Sequence, residues 1–376
     1  MADTWQPGGM SPFADRFARV RARATELGVD AVLLSVGPDL PYLTGYEAMP
    51  LERLTMLVLP AAGDATLVIP RLEAPRVTER PEFGLRPWTE TEDPIAIVAD
   101  LLGGSGTLAI GDRTWARFVV DLQHAMPAAS WRKASEVVGP LRAMKDAPEI
   151  EALRRAGAAA DVVALALQTG EIELVGRTEA DVSKELGRRL IAEGHHKVNF
   201  AIVAAGENAA SPHHEPGSRV IRPGEGVLCD FGGTMYDDDG IGYCSDITRC
   251  VFLGEPDPEV AEAYAVLLDA QQAAVAAAVV GTTCEEVDAT ARRIITEAGW
   301  GEQFIHRTGH GIGIEEHEDP YIVSGNTTPL APGHAFSIEP GIYVEGRFGF
   351  RLEDIVVAST AGPDPLNHAD HDLALL

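Results

Sequence analysis

Three histidines lie close together in a glycine-rich segment near the C-terminal end of the 376-residue sequence. They are His306, His310 and His317, at spacings of four and seven residues. Imidazoles so spaced can bind a metal ion or a substrate, and the glycines between them let the backbone turn closely beneath a bound group. Histidines in a glycine-rich loop can also simply be solvated, so this segment alone leaves both interpretations open.

Four acidic residues interrupt apolar, strand-like segments of the C-terminal half. These segments are 227–233 with Asp230, 243–249 with Asp246, 336–343 with Glu339, and 350–357 with Glu353. Acids are disfavoured in strands, and a buried charge is costly unless it is paired or bound to a metal. We therefore expect two acid-bearing hairpins that build one site. The aspartates at 237–239 lie at a glycine-containing loop tip, and we expect them to be solvated.

These carboxylates, together with one imidazole, have the chemistry of a metal site. Carboxylates within a few ångströms of one another cannot all remain ionised unaided. Two divalent cations would nearly neutralise them, and oxygen ligands with one nitrogen favour Mn²⁺ or Co²⁺, with Zn²⁺ or Fe²⁺ as alternatives. Two such ions bridged by hydroxide make a strong nucleophile at neutral pH.

Helix and strand patterns predict that these residues belong to a second domain. The first part of the chain alternates a helix over 11–27, strands at 31–34, 56–59 and 65–69, a helix over about 93–102 and a strand at 107–110. This alternation is typical of an α/β layer. A proline and an acid at 148–149 then begin a long Ala-rich helix. We predict an N-terminal α/β domain over 1–140 and a second domain over 141–376.

The second domain contains a weak internal repeat. Thr178 and Thr283 each begin a helix with an acid three residues later, which is a capping-box pattern. Each helix ends at a glycine sixteen residues after its threonine, and each is preceded by a long Ala-rich helix, over 148–169 and 258–280. Each is also followed by an acid-bearing hairpin. We interpret this order as a duplication of a helix–helix–hairpin unit.

Composition excludes several classes of function. The formal net charge of −27 disfavours nucleic acid and anionic membranes as partners, because such a surface repels phosphates. No apolar run is long enough to cross a membrane. The first eight residues lack the basic and apolar regions of a signal peptide, which predicts a cytoplasmic protein. The four cysteines lack Cys-x-x-Cys spacing, so we expect reduced thiols in the core.

The sequence resembles the pita-bread metallopeptidases, namely prolidases, aminopeptidases P, methionine aminopeptidases and the related creatinases. The matching segments are Asp230, Ser245-Asp246-Ile247-Thr248-Arg249, Gly309-His310-Gly311-Ile312-Gly313, Ile338-Glu339-Pro340-Gly341 and Arg351-Leu352-Glu353-Asp354. Residues 40–45 resemble the creatinase/prolidase N-terminal domain, which methionine aminopeptidases usually lack. The resemblance implies an α+β protein with a C-terminal pita-bread fold and an N-terminal α/β creatinase-like domain.

The resemblance also implies a ligand set of two aspartates, a histidine and two glutamates. Asp230 would bind one metal ion, His310 and Glu339 the other, and Asp246 and Glu353 would bridge both. Glu339 would also carry a proton from the attacking water to the leaving nitrogen.

Other residues match the substrate-side positions of this family. By resemblance, His213, His306 and His317 would contact substrate, and Arg351 would orient the neighbouring carboxylates. We expect His214 to be an exposed neighbour, and the pair at 195–196 to be ordinary surface histidines.

Two features depart from the family pattern. The connection from Asp230 to Asp246 is sixteen residues, against about eleven in the family, and the extra residues fall in the loop tip. Some prolidases also hold the dipeptide carboxylate with an arginine at the position of Tyr321. A strict dipeptidase would need another cation here, and Arg219 and Arg347 are the candidates.

The resemblance supports one leading function and leaves three alternatives. The leading function is that of a Xaa-Pro dipeptidase acting on small peptides with proline at the second position. The alternatives are a Xaa-Pro aminopeptidase acting on longer peptides, a creatinase-like enzyme with other chemistry, and a non-catalytic binding module of the same fold. The last two kinds of relative tend to lose the ligands that are present here. The resemblance further implies a homodimer.

Overall fold

A computed structural model describes residues 11–376 as two compact units. The first comprises the described residues up to Arg142 together with Asp238–Ile241, and the second comprises Ala143–Asp237 and Gly242–Leu376. The expectation drawn from the first eight residues lies outside the described part of the chain. Among residues 11–376, no helix is long and apolar enough to cross a membrane.

The first unit is a six-stranded mixed sheet with helices. Its elements are α1 (Pro12–Glu26), β1 (Ala31–Leu34), α2 (Asp39–Thr44), β2 (Met56–Pro60), β3 (Ala65–Pro70), β4 (Phe83–Trp88), α3 (Pro94–Leu102), β5 (Ser105–Ile110), α4 (Ala116–Ala125), β6 (Ala128–Lys133) and α5 (Ser135–Ala143). The strand order is β4-β3-β2-β1-β5-β6, and the strand pairs other than β1–β2 and β2–β3 are parallel.

Helix α1 forms where its sequence pattern predicts it. The Ser11 hydroxyl accepts a hydrogen bond from the Ala14 amide, which caps the helix. Phe13 and Phe17 lie on its buried face. The chain leaves the helix through Gly28, whose φ of 66° is readily adopted only without a Cβ atom. The predicted strands and the helix over about 93–102 are likewise confirmed.

The second unit contains two long helices followed by strands, twice. Its first half consists of α6 (Ala147–Gln168), α7 (Glu179–Ala192), β7 (Lys197–Ala205), β8 (Gly226–Tyr236), β9 (Gly242–Cys244) and β10 (Ile247–Phe252). Its second half consists of α8 (Pro258–Ala277), α9 (Cys284–Glu297), β11 (Gly309–Gly311), β12 (Glu318–Ile322), β13 (Ala335–Ile338), β14 (Gly341–Val344), β15 (Phe348–Arg351), β16 (Asp354–Ser359), β17 (Gly362–Pro365) and β18 (Ala374–Leu375).

Each half has its own sheet, and β18 of the second half adds to the sheet of the first by pairing with β10. The first sheet has the order β18-β10-β8-β7, with β9 paired to β8, and the second has the order β12-β11-β13-β16-β17. Strands β14 and β15 form a separate hairpin. Aliphatic side chains from α6 and α7 pack on the first sheet, and side chains from α8 and α9 pack on the second. All four cysteines are buried and free, as predicted.

The predicted repeat recurs in the geometry of the two halves. Thr178 and Thr283 cap α7 and α9 by accepting hydrogen bonds from Asp181 and Glu286 amides. Thr178 forms an isolated β-bridge with Val220, and Thr283 forms one with Pro329, each three residues before the proline of the following Pro-Gly turn. Each half also turns into its acid-bearing strand through a Pro-Gly pair, at 223–224 and 332–333, and both glycines have positive φ.

The prediction of two continuous strands in the second hairpin is wrong. Each predicted strand is broken at its acidic residue, so that β13 pairs with β16 whereas β14 pairs with β15. The first break falls at Glu339 and Pro340, because proline lacks the N–H needed to continue a sheet ladder. The second falls at Leu352 and Glu353. Both glutamates therefore lie where the chain passes from one sheet to the other.

Candidate metal and substrate site

The predicted site residues all line one cavity of about 550 Å³ in the second unit. These residues are Asp230, Asp246, His310, Glu339 and Glu353, with His213, His306, His317 and Arg351. Phe200, Ile202, Pro212, Arg307 and Glu316 complete the lining. Carboxylates, imidazoles and a few apolar side chains thus converge on a space large enough for a small peptide.

Local backbone features present the five candidate ligands to the cavity. Asp230 lies in the middle of β8, and His310 lies in β11. Asp246, Glu339 and Glu353 lie at breaks between consecutive strands. Residues at such breaks leave the alternating in–out pattern of a strand, so their side chains can turn towards the same point.

Glycine is required beside His310. A Cβ atom at Gly309 would lie 1.9 Å from the carbonyl oxygen of Ser337, so only glycine lets β11 approach β13 this closely. The His310 amide then donates to the Ser337 hydroxyl at 3.0 Å, and the hydroxyl donates to Glu339 Oε1 at 3.1 Å. The glycines of the segment therefore bring the imidazole next to a carboxylate.

The candidate ligands are close enough to share a cation. Asp246, His310 and Glu353 each offer a ligand atom within 4.8 Å of the others. His310 Nε2 lies 3.2 Å from Glu339 Oε1 and 3.8 Å from Asp246 Oδ2. Asp230 Oδ1 is buried and has no hydrogen-bond partner. A buried carboxylate oxygen without a donor is costly unless something else binds it, so the donor set fits a divalent metal centre.

Arg351 and Thr248 connect these carboxylates. Arg351 Nη2 donates to Asp230 Oδ2 at 2.6 Å, and its Nε donates to the Thr248 hydroxyl at 3.2 Å. The same hydroxyl donates to Glu353 Oε2 at 2.7 Å. One buried guanidinium thus offsets part of the negative charge and fixes the orientation of two acids.

Burial and mutual repulsion perturb the acids of the site. Burial raises the pKa of Asp246 well above its ordinary value, and the negative charges of Glu353 and Asp230 add to the effect. Burial and the charges of Glu339 and Asp230 likewise raise the pKa of Glu353. Burial also acts to raise the pKa of Glu339, but a hydrogen bond and positive charge from His310 outweigh it and lower that pKa. These opposing shifts are those expected of several carboxylates crowded beside one imidazole.

Two of the histidines that are predicted to contact substrate, His306 and His317, lie beside the candidate ligands. His306 Nε2 is 2.9 Å from the hydroxyl of Tyr343, which accepts a hydrogen bond from Arg351 at 2.8 Å. The His317 ring lies 4.0 Å from the His310 ring, centroid to centroid. Burial lowers the pKa of His306, and burial with the charge of His310 lowers the pKa of His317 to about 4.

The structure corrects the expectations for two other histidines. His195 is buried rather than at the surface, and its Nε2 lies 2.8 Å from the hydroxyl of Ser245, next to Asp246. Burial lowers its pKa. His214 is half-buried, and its Nε2 lies 2.9 Å from a carboxylate oxygen of the fully buried Glu179. Both errors have one cause, because a neighbouring glycine or histidine does not by itself indicate that a side chain is exposed.

The two proposed carboxylate-binding arginines do not reach the cavity. Arg219 forms ion pairs with Glu207 and Glu225, and Arg347 pairs with Glu259 at 2.8 Å. Neither lines the cavity. Each is already engaged with carboxylates of this chain, so neither is positioned to bind one from a peptide.

Three residues of the site were not assigned roles by the sequence patterns. Thr248 lies within the quoted 245–249 segment, but a threonine in a strand carries no signal of its own. Tyr343 lies at the end of the apolar segment 336–343 and Arg307 lies beside His306, and only their contacts reveal their places in the site. Arg307 lines the cavity with its guanidinium 4.5 Å from the Tyr321 ring centroid.

Comparisons with known proteins agree with this architecture. Residues 151–360 match Metallopeptidase family M24, and residues 16–144 match the Creatinase/Prolidase N-terminal domain. The probable dipeptidase PepE of Mycobacterium tuberculosis is 44% identical over 369 residues, covering 97% of this chain and 96% of that protein. A Xaa-Pro dipeptidase of Lactobacillus helveticus is 38% identical, covering 92% and 95%. The crystal structure of a recombinant prolidase from Thermococcus sibiricus superposes with a TM-score of 0.91 at 36% identity, covering 98% and 100%.

The matched domain, the fold and the full-length similarity define a pita-bread metallopeptidase with a creatinase-like N-terminal domain. This chain belongs to metallopeptidase family M24. The family implies divalent metal binding, and the buried cluster of Asp246, His310 and Glu353 is the candidate centre.

Proposed function

We propose that this chain hydrolyses the Xaa-Pro bond of dipeptides with two divalent cations, Mn²⁺ or Co²⁺, as cofactors. One observation carries the proposal. Four carboxylates and the His310 imidazole line a single cavity, where Asp230 Oδ1 is buried without a partner. The names of the Mycobacterium and Lactobacillus relatives, a probable dipeptidase and a Xaa-Pro dipeptidase, support the substrate class.

The five candidate ligands would together hold the two cations. Asp230 would hold one ion, His310 and Glu339 the other, and Asp246 and Glu353 would contact both. Oxygen ligands with a single nitrogen suit Mn²⁺ or Co²⁺. When bound, the cations supply Lewis acidity and lower the pKa of water at the site.

Glu339 would move the proton of the reaction. Its Oε1 accepts a hydrogen bond from Ser337 and lies 3.2 Å from His310 Nε2, so the side chain is held in one orientation. In this position it would act as general base towards water and then as general acid towards the leaving proline nitrogen.

Histidines from both halves of the unit would bind the peptide. His213, His306 and His317 all line the cavity, and His306 is oriented by the hydroxyl of Tyr343. Imidazole N–H groups of His213 and His317 would donate hydrogen bonds to the oxygen of the scissile carbonyl as negative charge develops on it. Both ring nitrogens of His306 are already hydrogen-bonded, to the Arg307 carbonyl oxygen at 2.7 Å and to Tyr343, so His306 would contact the peptide with its ring.

Arg307 would select dipeptides by binding the free proline carboxylate. Its guanidinium lines the cavity and lies over the Tyr321 ring, and it forms no ion pair with any carboxylate of residues 11–376. Some prolidases carry their carboxylate-binding arginine at the position that Tyr321 occupies. Here the Arg307 guanidinium lies 4.5 Å from the Tyr321 ring centroid and packs on the flat surface of that ring, so it would supply the cation that position 321 lacks.

A Xaa-Pro aminopeptidase is the second candidate. The presence of Tyr321 in place of the prolidase arginine favours it, because an aminopeptidase needs no cation for a free carboxylate next to the scissile bond. The two candidates share the metal centre and differ only in the group that they accept after the proline.

Hydrolysis of Ala-Pro and Ala-Pro-Ala, with added Mn²⁺ and with chelator, tests both candidates. We expect Mn²⁺-dependent cleavage of Ala-Pro and little cleavage of the tripeptide. Cleavage of the tripeptide alone would rule out the dipeptidase, and no cleavage of either peptide with Mn²⁺ would rule out both peptidase functions.

Arg307→Met tests the proposed carboxylate contact. We expect it to raise KM for Ala-Pro by roughly 10- to 100-fold, because a charge-assisted hydrogen bond is lost. Cleavage of the amide Ala-Pro-NH₂ should change little, since it offers no carboxylate. Arg293→Met on the exposed face of α9 is the matched control. Equal losses on the acid and the amide would contradict the assignment.

We also propose that the protein is cytoplasmic and forms a homodimer. Its family and the bacterial dipeptidases that it resembles motivate both statements. Light scattering coupled to size-exclusion chromatography would measure the oligomeric state, and a monomer mass of 40.1 kDa would contradict the dimer.

A further inference from the structure

A fully buried carboxylate lies outside the catalytic cavity, at the first residue of α7. Glu179 accepts hydrogen bonds from the Ala205 amide at 2.9 Å and from Asn208 Nδ2 at 3.0 Å, and its Oε2 lies 2.9 Å from His214 Nε2. The Gly217 amide donates to it at 3.4 Å. A buried carboxylate requires such donors, and here all of them come from residues 205–217.

The same segment brings His213 to the catalytic cavity. Residues 206–217 follow β7, and His213 and Pro212 line the cavity while the next side chain, His214, faces Glu179. The far side of the segment packs against β15, where a Cβ atom at Gly349 would lie 1.8 Å from the Ala209 carbonyl oxygen. The loop is therefore held between β15 and one carboxylate.

The second half of the unit has a comparable anchor. Asp288 in α9 accepts hydrogen bonds from the amide and the hydroxyl of Thr308, at 3.1 and 2.8 Å. It also accepts two from Arg292, at 2.9 and 3.0 Å, and Arg292 donates to the carbonyl oxygens of Phe304 and His306. This segment carries His306 to the cavity, so each half ties its histidine-bearing loop to a buried acid.

We propose that Glu179 and Asp288 are positioning residues for the substrate-side histidines of the reaction. Glu179 acts through His214 on His213, and Asp288 acts through Arg292 on His306. Neither acid lines the cavity or belongs to the candidate ligands. The inference rests on the proposed peptidase function, and it concerns the geometry of substrate binding rather than the metal centre.

His214→Leu removes one link of the first anchor while leaving the helix and sheet intact. We expect kcat/KM for Ala-Pro to fall about tenfold, the scale of one lost hydrogen bond to a charged group. His214→Gln restores a donor and should recover most of the loss. Glu215→Gln, at the exposed next residue, is the matched control and should retain wild-type turnover. Mn²⁺ affinity, measured by calorimetry, should be the same in all of these variants.

A double-mutant cycle distinguishes positioning from a general structural role. If His214 acts through His213, then His214→Leu should have no further effect on kcat/KM in a His213→Ala background. The corresponding cycle pairs Arg292→Leu with His306→Ala. Additive losses in both cycles would overturn the proposal, because they would show that the anchors do not act through the histidines.

Hydrogen exchange provides a readout that does not depend on turnover. Amides of residues 206–217 should exchange faster in His214→Leu than in the wild type, while peptides from α6 keep their protection. Unchanged exchange in that loop would overturn the proposal whether or not the peptidase assay succeeds. Failure of the wild type to cleave any Xaa-Pro peptide would count against the proposed function alone.

Discussion

The two halves of the catalytic unit have the same framework but supply different chemistry. In both halves a threonine-capped helix precedes a Pro-Gly turn, and the strand that begins after that turn contains or leads to a ligand acid. Asp230 and Glu339 each lie seven residues after the proline of the turn. The first half contributes only aspartates to the candidate ligands, whereas the second contributes both glutamates and His310. The two halves thus share a framework, as expected of a duplicated unit, and differ in the ligands that they supply.

Each half also orients a carboxylate of the other. Arg351 from the second half donates to Asp230 of the first, and Thr248 from the first half donates to Glu353 of the second. The strands that carry these residues also meet directly, because Thr248 and Glu353 form an isolated β-bridge. The site is therefore complete only when both halves are folded against each other.

Replacing Asp230 or Glu339, which lie at corresponding positions of the two halves, by the matching amide should have the largest effect and should show how the two halves differ in function. Glu339→Gln removes the proposed proton carrier, and we expect kcat for Ala-Pro to fall roughly 10³-fold with the fold retained. Asp230→Asn should act through metal affinity, so added Mn²⁺ should restore part of its activity. Steady-state kinetics across a Mn²⁺ titration, with a thermal melt of each variant, would measure both effects. Wild-type kcat in Glu339→Gln would remove Glu339 from the proton-transfer role.

Breaking the hydroxyl link between the halves should have an intermediate effect. Thr248→Val keeps the shape of the side chain but leaves Glu353 Oε2 and Arg351 Nε without this partner. We expect a loss of about 1–3 kcal/mol in the free energy of unfolding. Thr248→Ser retains the hydroxyl and is the control. Urea denaturation would measure both variants, and equal stability of Thr248→Val and the wild type would show that the link contributes nothing.

The smallest expected effect is on the pH dependence of stability, and it comes from two residues at matching positions of the two Pro-Gly turns. Glu225 and His334 each lie two residues after the proline of their turn. Burial and the charge of Lys145 lower the pKa of His334 from 6.5 to about 4, so the folded state resists its protonation. Stability should therefore fall as pH decreases from about 6.5 towards 4, with a slope of at most about 1.4 kcal/mol per pH unit from this group.

His334→Gln should remove that contribution between pH 6.5 and 4 and leave stability at pH 8 nearly unchanged. Burial acts to raise the pKa of Glu225, but hydrogen bonds from Arg219 outweigh it and lower that pKa below 4.5. The stability that ionised Glu225 contributes to the folded state is therefore lost only as the pH falls below 4.5. Urea unfolding at pH 7.5 and 5.5 would measure the His334 contribution. An identical pH dependence in the variant and the wild type would show that this histidine has no such role.

Local sequence signals specify the framework of the molecule and the members of its candidate centre. Capping threonines, Ala-rich helices and turn glycines predict local structure because they act over a few residues. Acids within apolar segments indicate a buried charge wherever the segment folds, so Asp230, Asp246, Glu339 and Glu353 can be identified from the chain alone. The resemblance to a known family then assigns each of them a role.

The way in which these groups are held depends instead on long-range packing. Pro340 marks the break at Glu339 locally, but the breaks at Asp246 and Glu353 depend on which strands pair, and strand pairing joins residues that are far apart in the chain. The contact of Arg351 with Asp230 likewise spans 121 residues of sequence. His195 is buried and His214 is half-buried, although we expected both to be exposed, for the same reason. Whether a side chain is solvated depends on the segments that pack over it, and no local pattern specifies them.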